Sequence, residues 1–319
     1  MKTLTTAVAY PTIPIIFLGG INPDRTPLYD TMGLAITSKD SVTRTETTIK
    51  QSSKSAGQID FFLNGKKIEG KRGKQIITAV KDFMDFGETK GSLTIHSQNY
   101  NIFSGSSDSG LAALFTALND FFEYNLTQDE LLQFAMKGSE SAGRSLYGGL
   151  TLTKANPLSV KQLASDNDLA LIRLFSIAFD FPVRLSADEI HAGIVTNSLF
   201  SDRLNKIPFW VEKISNALIS RDYLSVLEYA EENIRNAHEL LEGVNLVVRK
   251  AEVMKLCNNI TEIRETGIPA FYLIGGGNLV TVATIDKYYK ETANYLNEKN
   301  WKYIESKVAG HPVVIKSEK

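Results

Sequence analysis

The chain reads as blocks of apolar residues at two spacings, punctuated by glycine, proline and asparagine. Residues 7–18 are apolar but carry Pro11 and Pro14 and stop at Gly19-Gly20, which predicts one or two short strands. Residues 31–37 are a second strand candidate. Residues 59–63 lead through Asn64-Gly65 into Lys66-Lys67-Ile68; Asn-Gly accepts positive φ at both central positions, so this segment predicts a hairpin. Between 75 and 86, Ile76, Ile77, Val80, Phe83 and Met84 recur at helical spacing. Residues 92–97 alternate as a strand. A Gly/Ser cluster, 104–110, then opens an apolar helix over 111–122. Thr127 and Glu130 form a capping-box pattern for a helix over 129–137. Gly148-Gly149 introduces a strand over 150–153.

The polar stretch 155–168, with Pro157, reads as an inter-domain junction. Beyond it, 170–179 is an apolar strand candidate, and helices are predicted over 209–218, 223–241 and 244–258. The stripe along 223–241 is core or dimer surface. Strands over 271–274 and 280–284, a helix over 284–299 and a strand over 313–316 complete the chain. Interleaved strands and helices without repeats predict an α+β architecture with two domains, 1–168 and 169–319.

Composition narrows the function. Of 319 residues 43% are apolar and 22% charged, as in an ordinary globular protein. Lys+Arg (35) and Asp+Glu (36) leave a formal charge of -1, which excludes a dedicated nucleic-acid binder but allows a local basic pocket. The single cysteine, Cys257, excludes an internal disulfide framework and a Cys-based zinc site, and suits the reducing cytoplasm. No segment reaches the roughly 18 apolar residues of a bilayer span, so no membrane partner is expected. Lys2 followed by Ala7-Val8-Ala9 faintly imitates a secretion signal, but the apolar run is short and prolines follow, so an opening strand is preferred. His96, His191, His238 and His311 show no metal-ligand spacing; His238 is expected in water, and His191 is a candidate to approach a cleft.

Two glycine-rich loops carry chemistry. In Ser104-Gly105-Ser106-Ser107-Asp108-Ser109-Gly110, small residues let a ligand approach the backbone, and the helix that follows turns its free N–H groups toward the loop. A phosphate chain suits such a site; a plain helix cap is the alternative. It is not a Walker A loop, since no Gly-Lys-Ser/Thr follows. Gly275-Gly276-Gly277-Asn278, between two strand candidates, is either a hairpin turn or a close approach to a ligand, and lacks the spacing of a dinucleotide fingerprint.

The segment Gly138-Ser139-Glu140-Ser141-Ala142-Gly143-Arg144-Ser145-Leu146-Tyr147-Gly148-Gly149 resembles the Arg-Ser-Leu-Tyr-Gly-Gly signature of mevalonate diphosphate decarboxylases. That family lies in the galactokinase/homoserine kinase/mevalonate kinase/phosphomevalonate kinase superfamily. Ala9-Tyr10-Pro11-Thr12-Ile13, Phe62-Leu63-Asn64-Gly65, Ser97-Gln98-Asn99-Tyr100 and Val195-Thr196-Asn197-Ser198-Leu199-Phe200 are weaker matches in register. The resemblance implies an N-terminal α/β domain with a left-handed βαβ crossover, a ferredoxin-like C-terminal domain, and a cleft between them for ATP and substrate. It also suggests a homodimer.

The departures matter more. Registered on Asn278, the family's catalytic Asp becomes Ile274; its catalytic Lys falls near Leu18; and Glu140 stands where the family has Gly between two serines. Expelling CO2 requires the lost acid and base, whereas phosphoryl transfer asks mainly for positioning and charge neutralisation. Like charges a few ångströms apart cost about 4 kcal/mol at an effective dielectric near 20, so Glu140 disfavours a diphosphate and suits a neutral hydroxyl. The combination resembles the mevalonate 3-kinase branch of thermoacidophilic archaea, and implies ATP-dependent 3-phosphorylation of mevalonate in the cytoplasm. A decarboxylase with another acid/base arrangement, or a non-catalytic relative, are the alternatives.

On this resemblance Arg144 is the candidate for the mevalonate carboxylate or the transferring phosphoryl group, with a structural ion pair as its bland alternative. Arg184 is a second carboxylate clamp, and Glu140 holds a substrate hydroxyl. Ser104, Gly105, Ser106, Ser107, Asp108, Ser109 and Gly110, with Asn99 before them, would meet the nucleotide phosphates. Asp108 facing an anion implies Mg2+ between them. Leu18, Gly19 and Gly20 would line the substrate cleft, and Lys71-Arg72-Gly73-Lys74 is a solvated loop or an aid to ATP binding.

Overall fold

The computed structural model describes residues 1–52 and 57–319. In chain order the elements are β1 (Leu4–Ala9), β2 (Thr12–Ile16), β3 (Thr31–Ser38), β4 (Arg44–Gln51), β5 (Ile59–Leu63), β6 (Lys66–Lys67), α1 (Gly70–Phe86), β7 (Leu93–Tyr100), α2 (Ser106–Phe122), α3 (Gln128–Gly138), α4 (Ala142–Tyr147), β8 (Leu150–Lys154) and β9 (Ser159–Ala164). There follow β10 (Ile172–Ala178), α5 (Ala187–Ile194), α6 (Phe200–Ile219), α7 (Tyr223–Glu242), α8 (Ala251–Glu265), β11 (Phe271–Ile274), β12 (Leu279–Ile285), α9 (Tyr289–Glu298), β13 (Ile304–Val308) and β14 (Val313–Glu318).

Two sheets result. One has the order β14-β1-β4-β7-β5-β6, and its β5–β7 pair is parallel, joined through α1 as a βαβ unit. The Asn64-Gly65 turn has positive φ at both residues (50 and 77), as the hairpin requires. Helices α1, α2 and α3 cover this sheet over a core in which Phe83 meets Phe134 edge-on and Phe115 tilted. The other sheet runs β11-β12-β10-β13-β3-β8-β9, with β2 added against β3. It draws β2, β3, β8 and β9 from before residue 168 and the rest from after it. Helices α6, α7 and α8 bury Trp210, Ile214, Leu227, Ile234 and Ile260 against it.

Several expectations shift. The polar stretch 155–168 contains β9, whose inward face carries Val160 alone, so its pattern resembles a linker. Strand β4 turns Thr45, Thr47 and Ile49 inward; threonines on the buried face hide its period. Helix α6 begins at Phe200, nine residues before the expected start, and carries Pro208 inside it. The helix expected over 284–299 starts later, because β12 continues to Ile285 and a single 3-10 turn, Asp286–Tyr288, intervenes. Helix α8 lies seven residues beyond the expected 244–258. His238 is fully buried rather than solvated. No helix among the described residues is long and apolar enough to cross a membrane.

Candidate active site

The N-terminal turn of α2 forms one wall of the site. Gly105, its cap, has φ +72, and a Cβ there would lie 2.8 Å from the backbone N and O of Thr12. Only glycine lets the loop press against β2 in this conformation. The helix starts at Ser106, so Ser106 to Gly110 are helical residues rather than a free loop. Asp108 is thereby turned inward and buried. Thr12 Oγ1 and Ser141 Oγ donate to its two oxygens, and Ser107 and Ser139 Oγ stand 3.4 Å from Oδ1. Burial pushes its carboxyl above the ordinary range; the Ser141 and Thr12 hydroxyls and the Arg144 charge oppose that rise.

Arg144 projects from the short helix α4 with 5% of its surface exposed. Its Nε and Nη2 are buried without a hydrogen-bond partner. Burial lowers its pKa, against the pull of Asp108 and Glu140. Unsatisfied guanidinium nitrogens beside a cavity are costly unless an anion completes them.

Glu140, 6% exposed, is held from both sides. His191 Nε2 is 3.2 Å from Oε1, while Arg25 Nη2 and Nε reach Oε2 at 2.6 and 3.2 Å. Gly20 N–H donates to His191 Nδ1 at 3.3 Å, which leaves the ring proton on Nε2, facing Glu140. Burial alone would raise the Glu140 pKa, but the His191 bond, its own backbone N–H and Arg25 bring it down to about 2. The carboxylate is therefore charged at any working pH.

The opposite wall is the segment after β2. Gly19 N–H donates to Tyr29 Oη at 2.9 Å, and Tyr29 Oη donates to Phe17 O at 2.8 Å. Arg203, 1% exposed, bonds Asn233 and Asn236 and reaches Phe17 O, and Asn233 Oδ1 accepts from Phe17 N–H at 2.9 Å. His238 Nε2 is 3.2 Å from Gly275 O. Helix α7 thus pins both the Phe17 segment and the Gly275 loop. Burial drives the His238 pKa down to about 3, so it serves as a neutral donor to that carbonyl.

One cavity brings together Thr12, Leu18, Ser104, Gly105, Ser107, Asp108, Glu140, Arg144, His191 and Gly275-Gly276. Ser106 and Gly110 line a neighbouring apolar hollow with Phe61, Leu63, Ile68 and Ile76. Ser109 and Asn99 face away: Ser109 Oγ pairs with Thr45 Oγ1 at 2.7 Å, and Thr45 also donates to Asn99 Oδ1 at 2.8 Å. They brace the loop from behind. Gly19 packs on Ile194, where a Cβ would fall 2.8 Å from Cδ1. Arg184 is not brought to the cavity; it is half exposed and lies 3.5 Å from Asp180. Ile274, at the position registered on the decarboxylase Asp, is wholly buried at the end of β11. Lys71 and Arg72 belong to the first turn of α1 rather than a loop, and Arg72 Nη1 donates to Gly138 O.

Sequence reasoning missed Arg25, Thr12, Arg203 and Asn233. Nothing in their spacing signals a site; only the fold brings them there. As for Mg2+, no cluster of three His, Cys, Asp or Glu occurs among the described residues. Asp108 with its surrounding hydroxyls is a hard oxygen set, which fits an ion that takes one or two carboxylates and completes its shell with phosphate oxygens.

Comparison with known proteins agrees with this geometry. Residues 9–162 match the model for the diphosphomevalonate decarboxylase-like N-terminal domain, and 185–290 match the mevalonate-3-kinase C-terminal domain. The chain is 30% identical over 317 residues to mevalonate-3-kinase of Picrophilus torridus, covering 96% of each. It is 30% identical over 281 residues to mevalonate 3-kinase of Thermoplasma acidophilum, covering 86% of each. The crystal structure of the Thermoplasma acidophilum enzyme with mevalonate 3-phosphate and ADP superposes with a TM-score of 0.88 at 26% identity, over 100% of both chains. Mevalonate diphosphate decarboxylase of Staphylococcus aureus shares the fold (TM-score 0.88, 21% identity, 99% of each chain). With both halves matched and nearly the whole length aligned to a curated relative, the chain belongs to the mevalonate 3-kinase family.

Proposed function

We propose that the protein is an ATP-dependent mevalonate 3-kinase. The 3-hydroxyl oxygen attacks the γ-phosphorus and releases its proton to solvent, the bridging bond to the β-phosphate breaks, and mevalonate 3-phosphate and ADP leave with the carboxylate intact. The observation that carries this reading is the buried, unpartnered guanidinium of Arg144, placed in one cavity with the α2 N-terminus and Asp108. Arg144 would bind the mevalonate carboxylate or the transferred group through two parallel hydrogen bonds.

Glu140 accepts the hydroxyl at the far end of the substrate. The α2 N-terminus, with Ser104, Gly105 and Ser107, receives the terminal phosphates. From Ser107 the wall continues to Lys71 and Arg72 and then to the apolar hollow of Phe61, Leu63 and Ile68, a sequence of surfaces suited to phosphates and then a base. Asp108 and the neighbouring hydroxyls would hold Mg2+, which would supply positive charge to neutralise the phosphates. Leu18 and Ile274 offer neither base nor acid, so phosphoryl transfer proceeds by positioning and the carbon–carbon bond survives. We assign the N-terminal half to nucleotide binding, and a cytoplasmic homodimer as the working form.

The test is to mix protein, Mg-ATP and mevalonate, follow ADP, and identify the product by phosphorus NMR. One ADP per mevalonate 3-phosphate supports the reading; an alkene product transfers the chain to the decarboxylases, and no turnover makes it non-catalytic.

A further inference from the structure

Arg25 belongs to no motif, yet the loop that carries it is built around it. Ile21 and Pro27 form an isolated bridge, Asn22 N–H donates to Thr26 O at 2.8 Å, and Arg25 N–H donates to Asn22 O at 2.9 Å. Arg25 itself has φ +68, uncommon for a residue with a side chain. Its guanidinium spans the cleft: Nη2 and Nε hold Glu140 Oε2, and Nη1 and Nη2 are each 3.3 Å from Asp188 Oδ1. Beyond Glu140 a second concavity opens, walled by Arg25, Lys71, Arg72, Gln75 and Ser139. Arg25 is bound to both of the carboxylates that line this space.

We propose that Arg25 is a specificity-determining residue: a phosphate-competent guanidinium that Glu140 and Asp188 keep occupied, so that the cavity takes the free 5-hydroxyl of mevalonate and not its 5-phosphate ester. This rests on the reading of the cavity as the mevalonate site. The guanidinium fork suits a carboxylate and a phosphate equally well. An arriving 5-phosphate would have to part the half-buried Arg25–Glu140 pair and bring its own negative charge beside Glu140, which would keep only its His191 partner. With Glu140 neutral, only Asp188 remains, and its side chain is 66% exposed, a weak holder.

The experiment measures kcat and KM for mevalonate and for mevalonate 5-phosphate in the wild type, Glu140→Gln, Arg25→Gln and the double variant, with melting temperatures for each. The wild type is expected to prefer mevalonate. Glu140→Gln should shift the kcat/KM ratio toward the 5-phosphate ester at least tenfold. Arg25→Gln alone should give no such shift, and in the double variant the gain should vanish. Glu140→Gln with Arg25→Lys should keep part of it, and stands in if Arg25→Gln does not fold. A gain that persists without a cation at position 25, or no gain in Glu140→Gln, overturns the assignment. A wild type that phosphorylates neither compound removes the proposed function instead.

Discussion

The side chain of Arg144 lies in the space that a methyl group on Gly33 would fill: a Cβ built there falls 2.3 Å from Arg144 Cδ and 2.9 Å from its Nε. Gly33 is in the middle of β3, paired on one side with Pro14 of β2 and on the other with Thr151 of β8. The absence of one side chain in an interior strand is what lets the Arg144 side chain pass close over β3 and reach the cavity.

Gly33→Ala should therefore act through Arg144. Overpacking a filled interior costs about 1–3 kcal/mol, and the displaced guanidinium should lower kcat/KM for mevalonate by about two orders of magnitude, the scale of a reacting group misplaced by about 1 Å. Denaturant melts and steady-state kinetics check both. Full activity in a correctly folded Gly33→Ala enzyme would mean that Arg144 need not occupy this position.

Gly105→Ala tests the phosphate wall. The residue has positive φ, and a Cβ would press on the Thr12 backbone, which cannot yield as a side chain can. A loss of about 1–3 kcal/mol of stability is expected from strain of this kind, together with weaker nucleotide binding by titration calorimetry. Ser109→Ala, behind the loop, should instead reduce stability with little change in nucleotide affinity.

Acid stability should report Glu140. Its folded pKa, about 2, lies below the ordinary value of 4.5, so its contribution is present in full above that ordinary value and is lost as pH falls through about 2. The difference corresponds to about 3 kcal/mol. Denaturant unfolding between pH 6 and 2 should show the wild type losing more stability than Glu140→Gln; parallel curves would place the ionised pair outside the stabilising set.

Ile274→Asp restores the acid of the decarboxylase motif by position. Ile274 is wholly buried among apolar neighbours, so an aspartate there lacks solvent and partners. The expected outcome is a protein destabilised by several kcal/mol that releases no CO2, measured by melting temperature and gas trapping.

The sequence displayed those parts of the fold whose chemistry is local. The Asn64-Gly65 turn, the Thr127/Glu130 capping box and the period of α1 each depend on a few adjacent residues, and each is present. Strand β4 stayed hidden because its inward face is threonine, and β9 because only Val160 turns inward. Helix α6 was cut short at Pro208, a residue that its tertiary packing tolerates mid-helix. At the site, Asp108, Glu140 and Arg144 were legible because they sit in compact motifs, and they meet in one cavity. Arg25, Thr12, Arg203 and Asn233 come from distant segments, joined only by folding. Arg184 is half exposed and faces Asp180 instead of the cavity, a placement that nothing in its own segment signals.

The central claim is that this cavity moves a phosphoryl group and leaves the carbon skeleton whole. Mevalonate labelled in its carboxyl carbon, incubated with the enzyme and Mg-ATP until ADP has accumulated in equal amount, tests it directly. Retention of all label in a phosphorylated acid is the predicted result; label appearing as CO2 in step with ADP would contradict the account.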